Sequence, residues 1–266
     1  MDSGFSPSNR GGSGSPLVCL HGFTESWRTW ELVLPALERH HDVLAPTLAG
    51  HAGGPTITGA IGTHALVDAA ERAMDEAGFN TAPIVGNSLG GFVALQLAAR
   101  GRARSVVALS PAGGWPEDDP MAAVALDRHQ NLQELVKTAA PRADEIVSSE
   151  EGRRRATLYT TVRFEHIPTE LLAHQIRAAA GCDAALPLID YLRREGYELE
   201  PEKIECPVRI VWGTEDRLLP WPRAAIRYRE EWLSHADWVE LGGVGHCPQL
   251  DVPLEAAQLI LGFTSD

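Results

Sequence analysis

The chain has 266 residues, 44% of them hydrophobic, and carries 36 acidic against 23 basic side chains for a formal net charge of −13. That balance repels phosphate backbones and anionic lipid, so neither nucleic acid nor a membrane is the expected partner. No apolar run approaches the ~20 residues of a membrane helix. The N-terminus has no signal-peptide pattern, so a cytoplasmic protein is expected, and four cysteines without a CxxC pair indicate neither a disulfide framework nor a zinc site.

Residues 1–16, rich in Gly and Ser, read as a flexible lead-in. The "GGSGSP" stretch within them follows no strand and opens no helix, which excludes a phosphate-binding loop. The first strand is expected at 17–20, followed by His21-Gly22-Phe23. Ser26 then reads as the N-cap of a helix carrying Trp27, Trp30 and Leu34. His40, His41, His129 and His235 read as surface histidines, and the His40-His41 pair has no further ligand at metal spacing.

A second strand is expected at 43–46. Leu66, Ala69, Ala70, Ala73 and Ala77 then form a helical stripe that stops at Gly78. A third strand at 84–86 runs into Gly86-Asn87-Ser88-Leu89-Gly90, after which Phe92, Leu95 and Ala99 continue as a helix to Gly101. Strands at 106–109, 208–212 and 238–241 and a helix over 252–263 complete the alternation. Near-continuous apolar strands separated by helices define an α/β class: a mostly parallel central sheet flanked by helices on both faces. Residues 112–200 break the rhythm with helices only and read as a helical cap inserted into a core of 17–111 and 201–266.

Strands of such sheets point their C-terminal ends at the ligand crevice. The residues just past them include Ser88, Asp216 and His246. A serine hydroxyl needs an imidazole to take its proton, and the imidazole needs a carboxylate to set its tautomer. Gly86 and Gly90 bracket Ser88 as a strained strand-to-helix elbow requires. With 25 glycines in 266 positions, a G-x-S-x-G arises by chance with a probability of roughly 0.1 per chain. The weight therefore rests on chain order and on strand before, helix after.

These motifs ("LHGF" at 20–23, "GNSLGG" at 86–91, "WGTEDRLLP" at 212–220 and "GVGHCPQLDVP" at 243–253) resemble the α/β-hydrolase-fold serine hydrolases. The resemblance implies Ser88 as nucleophile, Asp216 as orienting acid and His246 as base. Backbone N–H groups of Phe23 and Leu89 would form the oxyanion hole, and His21 would support its loop. It implies no cofactor and no metal, and a small-molecule substrate shaped by the cap. Members of the family begin with a β-hairpin, for which residues 1–16 leave little room, so fewer strands are expected here. The family's common aspartate is replaced by Thr47.

The leading expectation is hydrolysis of a carboxylic ester of a small or medium apolar substrate through an acyl enzyme. Carbon–carbon hydrolysis of meta-cleavage type, suggested by Asn87 before the serine, and a cofactor-free haloperoxidase-like activity use the same triad. A non-catalytic ligand-binding protein is the reading from another class. Serine at 88 disfavours the aspartate-nucleophile epoxide hydrolases and dehalogenases. Trp115 and Trp221 suit either a pocket wall or the core, and Arg153-Arg154-Arg155 suits a solvated helix face.

Overall fold

Successive side chains of a strand point to opposite faces, so an unbroken apolar run needs cover on both sides. The computed structural model, which describes residues 4–264, supplies that cover. Its sheet comprises β1 (Ser8–Gly12), β2 (Ser15–Leu20), β3 (His41–Pro46), β4 (Ala82–Asn87), β5 (Ala103–Leu109), β6 (Val208–Gly213) and β7 (Asp237–Leu241). The spatial order is β1-β3-β2-β4-β5-β6-β7, parallel except for β1 against β3. Helices α1 (Leu34–Leu37), α2 (Thr63–Glu76) and α3 (Leu89–Ala99) fill the crossovers of the first half. Between β5 and β6 lie α4 (Pro120–Ala139), α5 (Ala143–Ser148), α6 (Glu150–Ala156), α7 (Thr169–Ala180) and α8 (Ala185–Glu195); α9 (Pro248–Asp251) and α10 (Pro253–Thr264) follow β7.

Two apolar layers sandwich the sheet. Ile84, Val106, Ala108, Ile210 and Trp212 pack on one face with Leu66 and Met74 of α2 and Phe92 and Leu95 of α3. Their strand neighbours Val85, Val107, Leu109 and Val211 pack on the other with Trp30, Leu37, Ala256 and Ile260. The hydrophobic run at 17–20 is divided in the same way, with Val18 and Leu20 in one layer and Leu17 and Cys19 in the other.

The N-terminus departs from expectation. Residues 1–3 lie outside the described residues, but the supposed lead-in contains β1 and the start of β2, giving seven strands rather than a reduced sheet. Its composition hides this because β1 is a polar edge strand held by its partner. Ser8 to Gly12 run against Pro46 to Asp42, Arg10 makes two hydrogen bonds to Asp42 at 3.1 and 2.7 Å, and Asn9 donates to Glu38 at 2.9 Å. Gly12 turns the chain at φ 81°, where a Cβ would lie 2.2 Å from the His41 carbonyl oxygen.

The helix expected after Ser26 is likewise split into a 3-10 turn at Trp27–Trp30 and the single turn α1, although Ser26 does cap it by accepting from Arg28 N. His41 is buried, not a surface residue, because it opens β3 beside Ser15 of β2, whose Oγ lies 3.0 Å from its Nδ1. Cys19, Cys182 and Cys247 are buried free thiols, while Cys206 is only half-buried.

Ile84 is fully enclosed in the central strand, where no neighbour is free to collapse into a vacated space. Ile84→Ala is expected to lower the unfolding free energy by about 2–5 kcal/mol, read as a lower urea midpoint at unchanged m-value.

Candidate active site

Where β4 passes into α3, Ser88 holds φ 54° and ψ −118°, a region L-residues rarely occupy. Hydrogen bonds on both sides maintain this geometry. Ser88 N donates to the Leu109 carbonyl at 2.9 Å, and the Ser88 carbonyl accepts from Phe92 N at 3.1 Å and Ala112 N at 3.0 Å. The flanking glycines are required by space: a Cβ on Gly86 would lie 2.2 Å from the Gly90 carbonyl oxygen, and one on Gly90 would lie 2.2 Å from that of Leu20. Leu89 opens α3, so its N–H has no carbonyl a turn earlier to reach and stays available at the helix N-terminus.

Asp216 and His246 follow β6 and β7. His246 Nδ1 lies 2.7 Å from Asp216 Oδ2, while Asp216 Oδ1 accepts from Leu218 N at 2.9 Å and Leu219 N at 2.7 Å. The carboxylate is therefore held at both ends, and its neighbour Glu215 is exposed. His246 Nε2 is buried with no hydrogen-bond partner among the described residues. Ser88 is 6% exposed and His246 2%, and both line one cavity. Asp216 and His246 are thus in contact, and Ser88 and His246 line the same chamber with no hydrogen bond between their side chains.

Behind this wall lies a network the sequence reading did not identify. Asn87 donates through Nδ2 to the carbonyls of Leu109 and His246, both at 3.0 Å, and accepts at Oδ1 from Gln249 Nε2 at 3.1 Å. Asp251 accepts from Gly245 N at 2.6 Å, Val162 N at 3.0 Å and Arg163 N at 2.6 Å. Glu25 accepts from Gly22 N at 3.0 Å, with the Cys247 thiol at 3.7 Å from its other oxygen, and burial raises its pKa above the ordinary carboxylate value. These side chains tie the loop after β2, the elbow and the His246 loop into one unit. Asn87, Gln249 and Asp251 stand inside the quoted motifs, which was the one hint of them, and Glu25 stands just past "LHGF".

His21 joins the unit: its Nδ1 lies 2.7 Å from the Gly22 carbonyl oxygen, and its Nε2 accepts from Leu48 N at 2.8 Å. Phe23, next in the chain, lines the cavities on both sides of Ser88. A smaller chamber of about 220 Å³ is walled by Trp115, Leu126, Leu188, Leu192, Leu219 and Arg227. A larger one of about 450 Å³ is walled by Leu132, Val136, Leu172, Ile176 and Leu218 together with His246. Trp115 is thus a pocket residue, whereas Trp221 stacks in the core between Trp212 and Trp238. His129, expected at the surface, lines both chambers because the face of α4 that bears it is turned toward the elbow. Arg155 reaches the rim of the larger chamber paired with Glu151 at 2.7 Å. Among the described residues no group of three or more His, Cys, Asp or Glu side chains is arranged to hold a metal ion, and no helix is long and apolar enough to cross a membrane.

A seven-stranded sheet with an elbow serine and a histidine–carboxylate pair beyond its strands defines a class of enzyme, and comparison with known proteins agrees. The alpha/beta hydrolase family model matches residues 17–259. The chain is 35% identical over 265 residues to 2-hydroxymuconate semialdehyde hydrolase of Pseudomonas sp. (strain CF600), covering 96% of this chain and 88% of that one. It is 32% identical over 202 residues to an epoxide hydrolase of Mycobacterium tuberculosis, covering 76% and 94%. Among solved structures, a membrane phospholipase A described as a bacterial virulence factor superposes with a TM-score of 0.76 at 24% identity, covering 98% and 86%. The chain belongs to the alpha/beta hydrolase family and is a hydrolase.

Burial holds several imidazoles around the site neutral. It lowers His51, His129 and His174 from 6.5 to about 4, and holds His21 well below its ordinary value as well. Between those values the unfolded chain binds more protons than the folded one, so stability falls as pH drops from about 6.5 toward 4, by at most ~1.4 kcal/mol per pH unit for each histidine. Glu25, raised instead, stabilises at low pH and loses that contribution as pH rises, but it is one group against four. Urea unfolding at about pH 7 and about pH 5 is expected to show the lower midpoint in acid; an equal or higher one would mean that these rings are charged in the folded state.

Proposed function

We propose that the protein is a serine hydrolase of neutral carboxylic esters, acting through Ser88, His246 and Asp216. The observation that carries this reading is the His246–Asp216 hydrogen bond at 2.7 Å, which leaves Nε2 without a partner in a residue that lines the same chamber as Ser88. With Nδ1–H committed to the carboxylate, Nε2 is the basic nitrogen and accepts the Ser88 proton as Oγ bonds to the acyl carbon. The carbonyl oxygen gains charge against the Leu89 and Phe23 N–H groups, each such donor lowering the barrier by ~3 kcal/mol in other enzymes. Collapse expels the alkoxide, which takes its proton from His246. Water, deprotonated by the same nitrogen, then releases the acid and regenerates Ser88. His246 lines only the larger chamber, so the leaving group belongs there and the acyl group in the smaller apolar one.

The two named relatives suggest other substrates, and chemistry separates them. Opening an oxirane with a serine alkoxide would leave an ether, which has no acyl carbon for water to attack, so serine at 88 argues against epoxide turnover. Carbon–carbon hydrolysis of a dienoate, the second reading, is favoured by the 35% identity to the semialdehyde hydrolase. It would bring a substrate carboxylate into the pocket, whose two lining arginines are partly engaged. Arg155 pairs through Nε with Glu151 at 2.7 Å, and Arg227 donates to the Tyr197 carbonyl at 3.2 Å while its Nε has no hydrogen-bond partner. The leucine- and isoleucine-bearing walls of both chambers favour neutral esters.

Ser88→Ala is expected to cut kcat on 4-nitrophenyl butyrate by ~10⁴ or more, and Asp216→Asn by a comparable factor through the wrong imidazole tautomer. Wild-type protein should be labelled at Ser88 by a fluorophosphonate, as read by peptide mass spectrometry. Undiminished turnover in Ser88→Ala would refute the proposal. Decay of a meta-cleavage dienoate faster than of any ester would transfer it to the carbon–carbon reading.

A further inference from the structure

One imidazole at the site has no part in the triad. His129 sits one turn beyond Ala125 on α4, across the cavity from the elbow, and with Phe23 and Ser88 it forms the waist shared by the two chambers. Its Nδ1 lies 2.8 Å from the Ala125 carbonyl oxygen. A carbonyl only accepts, so Nδ1 carries the ring proton and Nε2 presents a lone pair. Burial is the main reason the ring stays neutral: it lowers the pKa to about 4, aided by His246 and Arg128 and opposed by the Ala125 bond. The Phe23 ring, 5.4 Å away between centroids, braces the imidazole from the side.

His21 has partners for both nitrogens, Gly22 and Leu48, whereas the fully buried His51 leaves its Nε2 unpaired. His129 differs from both: its Nε2 has no hydrogen-bond donor among the described residues, and the half-buried ring lines both chambers. An acceptor held in one orientation and left open selects for a donor brought by a ligand. A second group in the same chamber points the same way. Gln175 of α7 lines the larger chamber, and its Nε2 is buried without an acceptor. The larger chamber thus has one unpaired acceptor and one unpaired donor among residues that line it, alongside Leu132, Val136, Leu172, Ile176 and Leu218. A hydroxyl group can donate to the one or accept from the other.

We propose that the larger chamber selects a hydroxylated leaving group, so that the substrates are monoesters of diols or polyols whose free hydroxyl donates to His129 Nε2. This rests on the serine-hydrolase reading, which assigns the leaving group to the His246 side. Because His129 stands at the waist beside Ser88, the hydroxyl must lie within a few bonds of the scissile oxygen, as in a vicinal diol. The acyl group lies in the smaller chamber, whose walls include Leu126, Leu188 and Leu192.

The test compares kcat/KM of the full-length protein for 2-hydroxyethyl butyrate with that for 2-methoxyethyl butyrate, which keeps the electronic character of the leaving group but removes the donor, and for propyl butyrate, which matches its size. Wild type is expected to prefer the hydroxyl ester by about tenfold or more over both, since a site built around a hydrogen bond rejects analogues that cannot make it. His129→Leu should bring both ratios toward one, and His129→Gln, whose Oε1 can accept, should restore part of the preference. A wild-type ratio below about two, or one unchanged in His129→Leu, would overturn the proposal. The wild-type ratios and His129→Gln decide the matter even if the leucine variant does not fold. Fluorophosphonate labelling at Ser88 together with indifference to the hydroxyl refutes the hydroxyl site alone; no labelling and no turnover of any of the three esters refutes the serine reading and this proposal with it.

Discussion

The site depends on a crossing of backbones with no side chain between them. Gly86 and Gly90 let the start of α3 approach the end of β4 and the Leu20 and His21 carbonyls so closely that a methyl group at either glycine would overlap main-chain atoms. The unusual dihedrals of Ser88 follow from that approach, because a strand that must turn directly into a helix has no ordinary path between the two. Backbone strain of this kind persists only where the surroundings over-determine it. Here they are two parallel strands, the bonds from Ser88 to Leu109, Phe92 and Ala112, and an apolar layer on each face of the sheet.

The same crossing explains the arrangement of polar groups behind the catalytic wall. Asn87 follows the last glycine of β4 and has its side chain on the far side of the strand from Ser88, where it bridges β5 to the His246 carbonyl. Asp251 and Glu25 then complete the restraint on the loops that follow β7 and β2. Each is an acceptor for main-chain N–H groups that would otherwise be buried unpaired, which costs about 1–3 kcal/mol apiece. The polar network is thus part of the fold's hydrogen-bond accounting as well as of its chemistry.

How much of this is legible in the sequence depends on the kind of signal. Ile84, Val85, Val106 and Val107 announce doubly covered strands because burial on both faces demands apolar residues throughout, and the order Ser88, Asp216, His246 is visible because each follows a strand, doubly covered for the first two and the edge strand β7 for the third. β1 is hidden: an edge strand with one solvated side can be written in Ser, Asn, Arg and Gly, and its pairing with β3 is a long-range fact with no local trace. His129 is hidden for a different reason. Helical periodicity tells which residues share a face but not which face meets a cavity, and α4 is amphipathic only weakly, with Val124 and Leu135 exposed. Asn87 was visible as a residue type but suggested a substrate, whereas its bonds are to the protein's own backbone and to the Gln249 and Cys247 side chains.

The triple acceptance by Asp251 bears on how substrate gets in. One carboxylate holds Gly245, beside His246, and also Val162 and Arg163 in the segment between α6 and α7. Lifting that segment off the sheet would strip two donors from a buried anion and pull on the loop bearing His246, so this corner resists opening. At the rim of the larger chamber, α4 and the turn after α6 instead present Leu135 and Leu158 to solvent.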